Sequence, residues 1–270
     1  MPALHAAGQV VICGGGPTGI ETAAEFATAY PRLKVTLVTQ AAFGEFLGSG
    51  VAKRMRRTLK RQGVTTTDQT LISEVEAKSI HTADGRTIPF DCCIWAGGFS
   101  VAPLARTAGL QVNARNQIII DPFMRSLSHP EVYAVGDAAS PAEQPGAPVR
   151  MSAVTATIMG AHGADCVSAQ LRGASPTPLS FAYLGQGIAL GRNQAIGFNN
   201  YPDDQPNPPY FTGWLGYQIR EWFVNYLATA PQREKHWLGS FFWIGKGRYA
   251  AAKRRRVATQ ARSRAPIGQA

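Results

Sequence analysis

Short apolar segments alternate with amphipathic ones over the first part of the chain. Gln9–Cys13 (QVVIC) and Lys34–Thr39 (KVTLVT) are apolar runs of strand length that are rich in β-branched residues. Ile20–Tyr30, between them, has the composition of a helix, and Val51–Gln62 carries apolar residues at helical spacing beside a basic face. Strands separated by helices of this length are typical of βαβ units, so the pattern predicts an α/β fold with a parallel sheet.

The following segments change to strand periodicity. Residues 63–67 predict a further strand, and residues 71–91 alternate on either side of an Asp-Gly turn, as expected of a β-hairpin or meander. Asp91–Trp95 (DCCIW) predicts a buried strand that runs into a pair of glycines. In the last third, residues 174–178 suggest a linker, and residues 181–198 suggest short strands interrupted by glycines. Residues 203–209 suggest a loop.

An aromatic helix is predicted next, at Trp214–Leu227. At helical spacing its large apolar residues share one face: Trp214, Leu215, Ile219, Trp222, Phe223, Tyr226 and Leu227. Such a face is usual in a core or in a homodimer interface. Together with the aromatic cluster at 237–244 and the cations that follow, it also suits a peripheral membrane contact through residues 214–256. Both alternatives stay open.

The charge of the chain is unevenly placed. The formal net charge is +10, and the last eighteen residues contain six cations and no acid: Lys253, Arg254, Arg255, Arg256, Arg262 and Arg264. A basic segment with so few large apolar residues is expected to be a disordered tail, so no nucleic-acid partner is expected for the folded part. If the tail does bind an anion, lipid headgroups are favoured over nucleic acid.

The cysteines and the hydropathy pattern suggest a cytoplasmic protein. Cys13, Cys92, Cys93 and Cys166 lack metal-ligand or C-x-x-C spacing, and we expect all four to be reduced and buried. No run approaches the length of a membrane-spanning helix, and the N-terminus lacks the pattern of a secretory signal.

A glycine-rich turn joins the first strand to the first helix. It reads Gly14-Gly15-Gly16-Pro17-Thr18-Gly19, which is G-x-G-x-x-G in a strand–turn–helix context. The first glycine permits the tight turn, the second lets the backbone approach a pyrophosphate, and the third lets the helix pack closely on the strand. The turn therefore predicts a Rossmann-like dinucleotide site with the diphosphate at the helix N-terminus.

Specificity for the nicotinamide cofactor is not fixed by this pattern. In such folds an acid at the end of the second strand binds the ribose 2′-hydroxyl. Thr39 and Gln40 occupy that place here, and no obvious arginine replaces the acid. Both NADH and NADPH therefore stay open.

A second landmark lies at residues 129–138 (HPEVYAVGDA). A short apolar strand is predicted to end at Gly136-Asp137, where Gly136 allows a close approach to the backbone. An aspartate at the carboxyl end of a strand can contact a ligand in an open α/β sheet. Taken alone, such an aspartate is more often a turn or cap residue.

With both landmarks, the sequence resembles the pyridine-nucleotide flavoprotein oxidoreductases, above all type II NADH dehydrogenases and apoptosis-inducing-factor-like reductases. The resemblance covers roughly residues 8–230 in the order of that family. The matching segments are GGGPTGIE at 14–21, ADGR at 83–86, IWAGGF at 94–99, SHPEVYAVGDAA at 128–139, MSAVTATIMGAHGAD at 151–165 and YLGQGIALGR at 183–192.

The resemblance implies roles for individual residues. Residues that would bind NAD(P)H are Gly14, Gly16, Pro17, Thr18, Gly19, Thr39 and Gly97. Residues that would bind FAD are Gly136, Asp137, Ser152 and Ala153, with a helix starting near Ser152 pointing its N-terminus at the flavin. Glu21 would lie near the nicotinamide–flavin contact as a catalytic residue, while its alternative role is an interaction with the helix dipole.

The resemblance also implies a domain order. The interval between Gly14 and Asp137 suits the family's NAD(P)H motif, so the FAD-diphosphate turn is expected before residue 1, and only the later half of the FAD domain lies in this chain. The expected regions are a Rossmann-like NAD(P)H-binding domain at 8–93, the C-terminal half of an FAD-binding domain at 94–173, a small β-rich C-terminal domain at 179–250, and the basic tail at 251–270.

The function expected from these features is that of an FAD-dependent NAD(P)H oxidoreductase. NAD(P)H would pass a hydride to the flavin, and electrons would go on to a quinone or another acceptor, in the cytoplasm or peripherally on the inner face of the membrane. The quinone is in doubt because Val154, Ile158 and Met159 stand where the resemblance calls for glutamines. No C-x-x-x-x-C pair is present, which argues against a disulfide reductase. The alternative is an NAD(P)H-binding fragment without catalytic activity.

Overall fold

The computed structural model describes residues 8–143, 149–202 and 204–236 of the 270-residue chain. These residues form two compact units. Of the described residues, the first unit comprises 8–98, 185–199 and 205–224, and the second comprises 99–143, 149–184, 200–202, 204 and 225–236. The aromatic cluster predicted at 237–244 and the tail at 251–270 lie outside the described residues.

The first unit is built on a four-stranded parallel sheet and its helices. The elements of this layer are β1 (Gln9–Cys13), α1 (Pro17–Ala29), β2 (Lys34–Val38), α2 (Ser49–Arg61), β3 (Thr65–Thr67) and β7 (Cys92–Trp95). The strand order in the sheet is β3-β2-β1-β7. The chain leaves β1 toward β2 and β3 and later returns to its other side with β7. The carboxyl end of β1 is therefore the point where the strand order reverses, which is where open α/β sheets bind ligands.

Apolar residues cover both faces of this sheet. On one face Ile12, Ile20 and Leu37 join the buried side of α2, formed by Val51, Met55 and Leu59. On the other face lies an antiparallel meander made of β4 (Ile72–Val75), β5 (Ser79–Thr82) and β6 (Thr87–Pro89). Val11, Cys13, Val38, Ile80 and Phe90 form the core between the sheet and the meander. The predicted α/β fold and the meander are confirmed.

A second antiparallel sheet belongs to the first unit. Its strands are β10 (Gly185–Ala189), β11 (Ala195–Asn200) and β12 (Pro206–Thr212), in that order, and helix α5 (Gly213–His236) follows. Ile188, Leu190, Ile196 and Phe198 pack in the core of the parallel sheet and α2. The loop predicted at 203–209 was wrong for residues 206–209, which are the first part of β12.

The second unit has its own core around one long helix. Its elements are α3 (Leu104–Thr107), β8 (Ile118–Ile120), β9 (Ala139–Pro141) and α4 (Ala153–Leu171). Strands β8 and β9 pair in parallel, and Ile120, Met124, Ile158, Met159 and Phe181 are buried together. The strand predicted just before Gly136 was wrong, because Tyr133 makes only an isolated bridge to Arg125 in that stretch.

The C-terminal range predicted as one small domain, 179–250, is divided between the units in its described part. The physical reason is packing. Ile188 and Phe198 complete the core of the first unit, whereas Leu179, Phe181 and Ala230 are buried in the core of the second.

Candidate functional site

The glycine-rich turn lies at the carboxyl end of β1. The N–H of Gly14 donates to the carbonyl of Val38 at the end of β2 (2.9 Å), and Ala96, after β7, donates to the carbonyl of Cys13 (2.7 Å). Gly14 has φ +137°, and a Cβ atom there would lie 2.2 Å from the Ala96 oxygen. A side chain is thus excluded both by the backbone conformation and by the neighbouring strand end.

The other two glycines of the motif differ in what surrounds them. A Cβ at Gly19 would lie 1.9 Å from the carbonyl oxygen of Gly14, so this glycine lets α1 approach the strand. A Cβ at Gly16 would meet nothing within 4 Å. Protein packing therefore does not explain a glycine at position 16, whereas a ligand that approaches the backbone there would.

Within the described residues, the N-terminus of α1 has no side-chain cap. The helix begins at Pro17, and its N-cap residue, Gly16, has no side chain that could accept a hydrogen bond from the first turn. Proline is well suited to this position because its missing N–H would have no intrahelical partner. Thr18 is exposed and Gly19 is buried. An uncapped helix N-terminus next to an open glycine is an anion-binding arrangement of the kind that holds dinucleotide phosphates.

Glu21 has protein partners in the first unit. It is the fifth residue of α1, beyond the first turn in which it was predicted. Its Oε1 accepts a hydrogen bond from the N–H of Ala189 in β10 (2.8 Å) and pairs with Nη2 of Arg220 in α5 (3.2 Å). Gly187 allows the approach of Arg220, because a Cβ there would lie 3.1 Å from the arginine Cγ. No local sequence pattern indicates this connection, since the partners are distant along the chain.

Gln40, and not Thr39, presents a free side chain at the ribose position. Thr39 is buried, and its hydroxyl donates to the carbonyl of Ala41 (2.7 Å). Its side chain packs against Gly15. Gln40 is exposed, and within the described part of the chain no hydrogen bond of its amide is seen. A ribose hydroxyl would therefore meet an amide at this strand end and not a carboxylate.

A cleft opens beside the turn, on the meander side of the parallel sheet. It is lined by residues from four strand ends: Cys13, Gly14, Val38, Gln40, Thr70, Leu71, Ile72, Trp95 and Gly97. Trp95 was predicted to be buried but is 62% exposed, and Cys92 and Cys93 are only half-buried. Burial and the adjacent Cys93 thiol (Sγ–Sγ 3.7 Å) raise the pKa of the Cys13 thiol to about 12. The cleft thus has no ionised lining group at neutral pH.

The second landmark forms a 3₁₀ turn at Gly136–Ala138 in the second unit. Gly136 has φ +65°, and a Cβ there would lie 3.2 Å from Cβ of Ala156 in α4. Asp137 is exposed, and its backbone carbonyl accepts a hydrogen bond from Nε2 of Gln117 (3.0 Å). The same amide nitrogen also donates to the carbonyl of Ala139 (3.2 Å). Gln117, which no sequence pattern singled out, is buried and stabilises this loop through the two hydrogen bonds.

The turn at Gly136 lies against the N-terminal part of α4. Ser152 is the N-cap of that helix, and its hydroxyl accepts from the N–H of Thr155 (3.3 Å), while Ala153 is exposed at the first helical position. Behind the cap, the hydroxyl of Tyr183 bonds that of Thr155 (2.9 Å) and accepts from the N–H of Arg150 (2.8 Å). The second unit therefore brings the Gly136-Asp137 turn and the start of α4 into one region.

A sequence profile of the pyridine nucleotide-disulphide oxidoreductases matches residues 2–161, more than half of the chain. The chain belongs to the pyridine nucleotide-disulphide oxidoreductase family. The glycine-rich turn, the meander and the Gly136-Asp137 turn all lie within the matched range. The family expected from the sequence is confirmed.

The curated proteins to which the chain is similar carry different names. The chain is 24% identical over 200 residues to a probable NADH dehydrogenase of Dictyostelium discoideum, covering 69% of this chain and 44% of that protein. It is 28% identical over 151 residues to the type II NADH:quinone oxidoreductase of Haemophilus influenzae, covering 49% of this chain and 33% of that protein. Across the curated relatives compared, the chain spans between 28% and 55% of their length.

A solved structure of an NADH-binding enzyme shares the fold. The water-forming NADH oxidase of Lactobacillus brevis, solved with NADH bound, superposes with a TM-score of 0.58 at 21% identity, over 74% of this chain and 44% of that one. At this identity the likeness concerns the fold alone.

Two classes of feature are missing from residues 8–143, 149–202 and 204–236. No helix there is long and apolar enough to cross a membrane. No group of three or more histidine, cysteine, aspartate or glutamate side chains is placed to hold a metal ion.

Proposed function

We propose that this chain binds NAD(P)H through the glycine-rich turn of the first unit and takes part in hydride transfer from NAD(P)H to FAD. The observation that carries the proposal is the pairing of Gly16, which the protein leaves uncovered, with an uncapped α1 N-terminus at the reversal point of the sheet. A diphosphate there would accept hydrogen bonds from backbone N–H groups and benefit from the positive end of the helix.

The remaining NAD(P)H contacts follow from the same geometry. The backbone from Gly14 to Gly19, including Pro17 and Thr18, holds the diphosphate. Thr39 packs against Gly15 of the turn. The contact with the ribose that was expected at this strand end would be made by the exposed amide of Gln40. Gly97, which follows β7, lines the cleft beside the turn and would contact the bound cofactor there. An amide can donate to either a hydroxyl or a phosphate, so NADH and NADPH are expected to bind with similar affinity.

The second unit offers residues that fit part of a flavin cofactor. The carboxylate of Asp137 is exposed, and Gln117 holds the backbone of its loop. Gly136 keeps that backbone open, while Ser152 and Ala153 start α4 beside it. An exposed acceptor next to a helix N-terminus suits the ribityl hydroxyls and the electron-rich ring of a flavin. FAD, when bound, supplies the hydride acceptor, and these residues would bind and orient it.

The acceptor of the electrons is proposed to be a quinone or another small oxidant. Relatives such as the Haemophilus influenzae enzyme are named for a quinone. Ile158 and Met159, at the positions expected to face one, are buried in the core of the second unit. If a quinone is the acceptor, it must therefore contact other residues.

A peripheral membrane contact through residues 214–256 is part of the same proposal. Trp214, Leu215, Ile219 and Trp222 of α5 are exposed, between 37% and 64%. Aromatic side chains of this kind partition into the lipid interface. A homodimer would cover the same face. Flotation with anionic lipid vesicles, compared with sedimentation analysis of the free protein, distinguishes these two outcomes.

The test uses the full chain and one matched pair of variants. Gly16→Ala places a methyl group in the space proposed for the diphosphate, and Gly160→Ala places one in open space on α4. Calorimetric titration with NADH should show binding to the wild type and to Gly160→Ala, with at least tenfold weaker binding to Gly16→Ala. Equal affinity in the two variants would overturn the proposed site.

FAD binding is tested separately. The purified chain, incubated with FAD and desalted, should retain the visible flavin absorbance, and added NADH should bleach it. The alternative expected from the sequence is NAD(P)H binding without catalysis. Retained NADH binding by a chain that cannot be loaded with FAD would support that alternative.

A further inference from the structure

Trp95 is an unusual residue for the end of a parallel strand. It is the last residue of β7, yet its side chain is 62% exposed. The indole lies over Gly97, since a Cβ atom at that glycine would be 2.8 Å from both Nε1 and Cε2 of the ring. Glycine at position 97 therefore makes room for the ring. A large aromatic surface left in water at the reversal point of the sheet loses burial energy that a ligand could recover.

The cleft beside this ring is apolar and uncharged. Leu71, 52% exposed, lines it together with Val38 and Ile72. None of its lining residues is acidic or basic, and Cys13 at its inner end keeps its proton at neutral pH. A diphosphate would find no positive side chain here. A neutral planar ring with polar edges fits these surroundings better.

We infer that Trp95 is a stacking surface for the adenine ring of the bound dinucleotide, with Leu71 lining the same cleft and the Gln40 amide within it as a hydrogen-bonding group. The inference rests on the proposed NAD(P)H-binding function and deepens it. It assigns to Trp95, Leu71 and Gln40 a role in affinity that the glycine-rich motif does not include.

The position of the cleft favours adenine over nicotinamide. From Gly14 the lining continues to Val38 and Gln40 at the end of β2, and to Thr70–Ile72 beyond β3. In dinucleotide-binding sheets the end of the second strand contacts the ribose of the adenosine half. The base attached to that ribose is the adenine, so we expect the adenine to enter this cleft.

The available polar group also fits a base. Thr70 is already engaged, because its hydroxyl donates to the carbonyl of Asp68 and accepts from Arg86. The Gln40 side chain has no hydrogen bond within the described ranges and can turn both a donor and an acceptor toward the ring or its ribose.

The decisive ligand is ADP-ribose, which contains the adenine and the diphosphate but no nicotinamide. Calorimetric titration of the full chain should show binding, and Trp95→Ala should weaken it about tenfold or more, as removal of a stacking aromatic does for bases. Trp95→Phe should recover most of the affinity. The matched control is Trp222→Ala, which removes an equally exposed tryptophan (64%) from α5 and should leave the affinity unchanged.

Leu71→Ala provides a second variant in case Trp95→Ala fails to fold. It removes an exposed side chain from the same cleft and should weaken ADP-ribose binding by a few-fold. In the wild type, ADP-ribose should quench tryptophan fluorescence, and Trp95→Phe should lose most of that quenching.

The outcomes separate the inference from the function on which it rests. Undiminished ADP-ribose binding by Trp95→Ala or by Leu71→Ala would overturn the stacking role while leaving NAD(P)H binding in place. Weakened NADH binding with unchanged ADP-ribose binding would overturn the assignment to adenine. If the wild type binds neither ligand, the proposed function fails and the inference fails with it.

Discussion

The α-carbon of Gly19 faces the carbonyl oxygen of Gly14 so closely that a Cβ atom would come within 1.9 Å of that oxygen. The contact joins the first turn of α1 to the end of β1 and leaves no flexible side chain that could move aside. Gly16, three residues earlier, has no atom within 4 Å of its own Cβ position. The two glycines of one motif therefore serve different purposes, one for packing and one for a ligand.

Alanine substitutions should separate these purposes. Gly19→Ala is expected to lower the free energy of unfolding by about 1–3 kcal/mol, because the methyl group overpacks against backbone. Gly16→Ala should cost less than about 1 kcal/mol, because its φ of −74° is ordinary for alanine and the space is open. Urea denaturation followed by circular dichroism measures both. Equal stability of the two variants would contradict the packing role of Gly19.

The ion pair between Glu21 and Arg220 should be measurable as a coupling energy. Both side chains are less than a third exposed, at 29% and 24%, so solvent screens the pair less than it screens a surface pair. In a double-mutant cycle of Glu21→Gln and Arg220→Met, we expect a coupling of about 1 kcal/mol in the free energy of unfolding. Arg220→Met should destabilise the chain less than Arg220→Ala, because methionine keeps the aliphatic part of the side chain that packs against Gly187.

That cycle also bears on the catalytic role first assigned to Glu21. If the carboxylate serves only to join α1 to β10 and α5, Glu21→Gln and Arg220→Met should change NADH affinity to the same small extent. A loss of affinity or of hydride transfer confined to Glu21→Gln would instead support its contact with the nicotinamide.

Local patterns were sufficient to predict much of the first unit. The bounds of β1 were predicted from the five-residue run QVVIC, in which four residues are apolar, and the meander from strand periodicity around Asp84 and Gly85. Helix α1 begins three residues earlier than predicted, at Pro17, because proline occupies a first helical position well and Gly16 ends the extended segment before it.

Features that depend on distant partners could not be predicted in the same way. Whether Trp95 is covered depends on what lies over the end of β7, which no local pattern reports. The division of residues 179–250 depends on Ile188 and Phe198 packing with residues far earlier in the chain. The role of Gln117 follows from carbonyl groups about twenty residues away, at Asp137 and Ala139. Polar residues of this kind have no periodicity that would mark them in advance.

Asp68 should make the first unit sensitive to acid. A hydrogen bond from Arg56 (2.7 Å), supported by one from the N–H of Phe43 (3.2 Å), lowers the pKa of the Asp68 carboxyl below its usual value. Because the pKa is lower in the folded state, the stabilisation is complete above the unfolded pKa of about 3.9 and is lost as the pH falls through the folded value.

Asp68→Asn is therefore expected to lower the free energy of unfolding by roughly 1 kcal/mol at neutral pH, a value reduced for the partial exposure of both partners. The difference from the wild type should shrink below about pH 4. Urea denaturation at a series of pH values gives this profile, with Glu131→Gln, an exposed loop carboxyl, as the control. A difference that stays constant with pH would exclude the ionised Asp68–Arg56 pair as its cause.

Gln117 should control the order of the Gly136-Asp137 turn. Its Nε2 donates to the carbonyls of both Asp137 and Ala139, and its Oε1 accepts from the amide of Asn113 (3.1 Å). Gln117→Ala leaves two carbonyls without this donor, of which only that of the exposed Asp137 can readily turn to water, so we expect a loss of about 1–2 kcal/mol.

Gln117→Glu is expected to be worse than Gln117→Ala although its shape is closer to glutamine. It replaces the donating nitrogen by a carboxylate oxygen that would face two carbonyl oxygens in a buried position. Hydrogen exchange followed by mass spectrometry should show faster exchange at residues 136–139 in both variants, with little change in the meander at 72–89. If exchange rises equally throughout the chain, Gln117 stabilises the fold in general and does not specifically order the turn that presents Asp137.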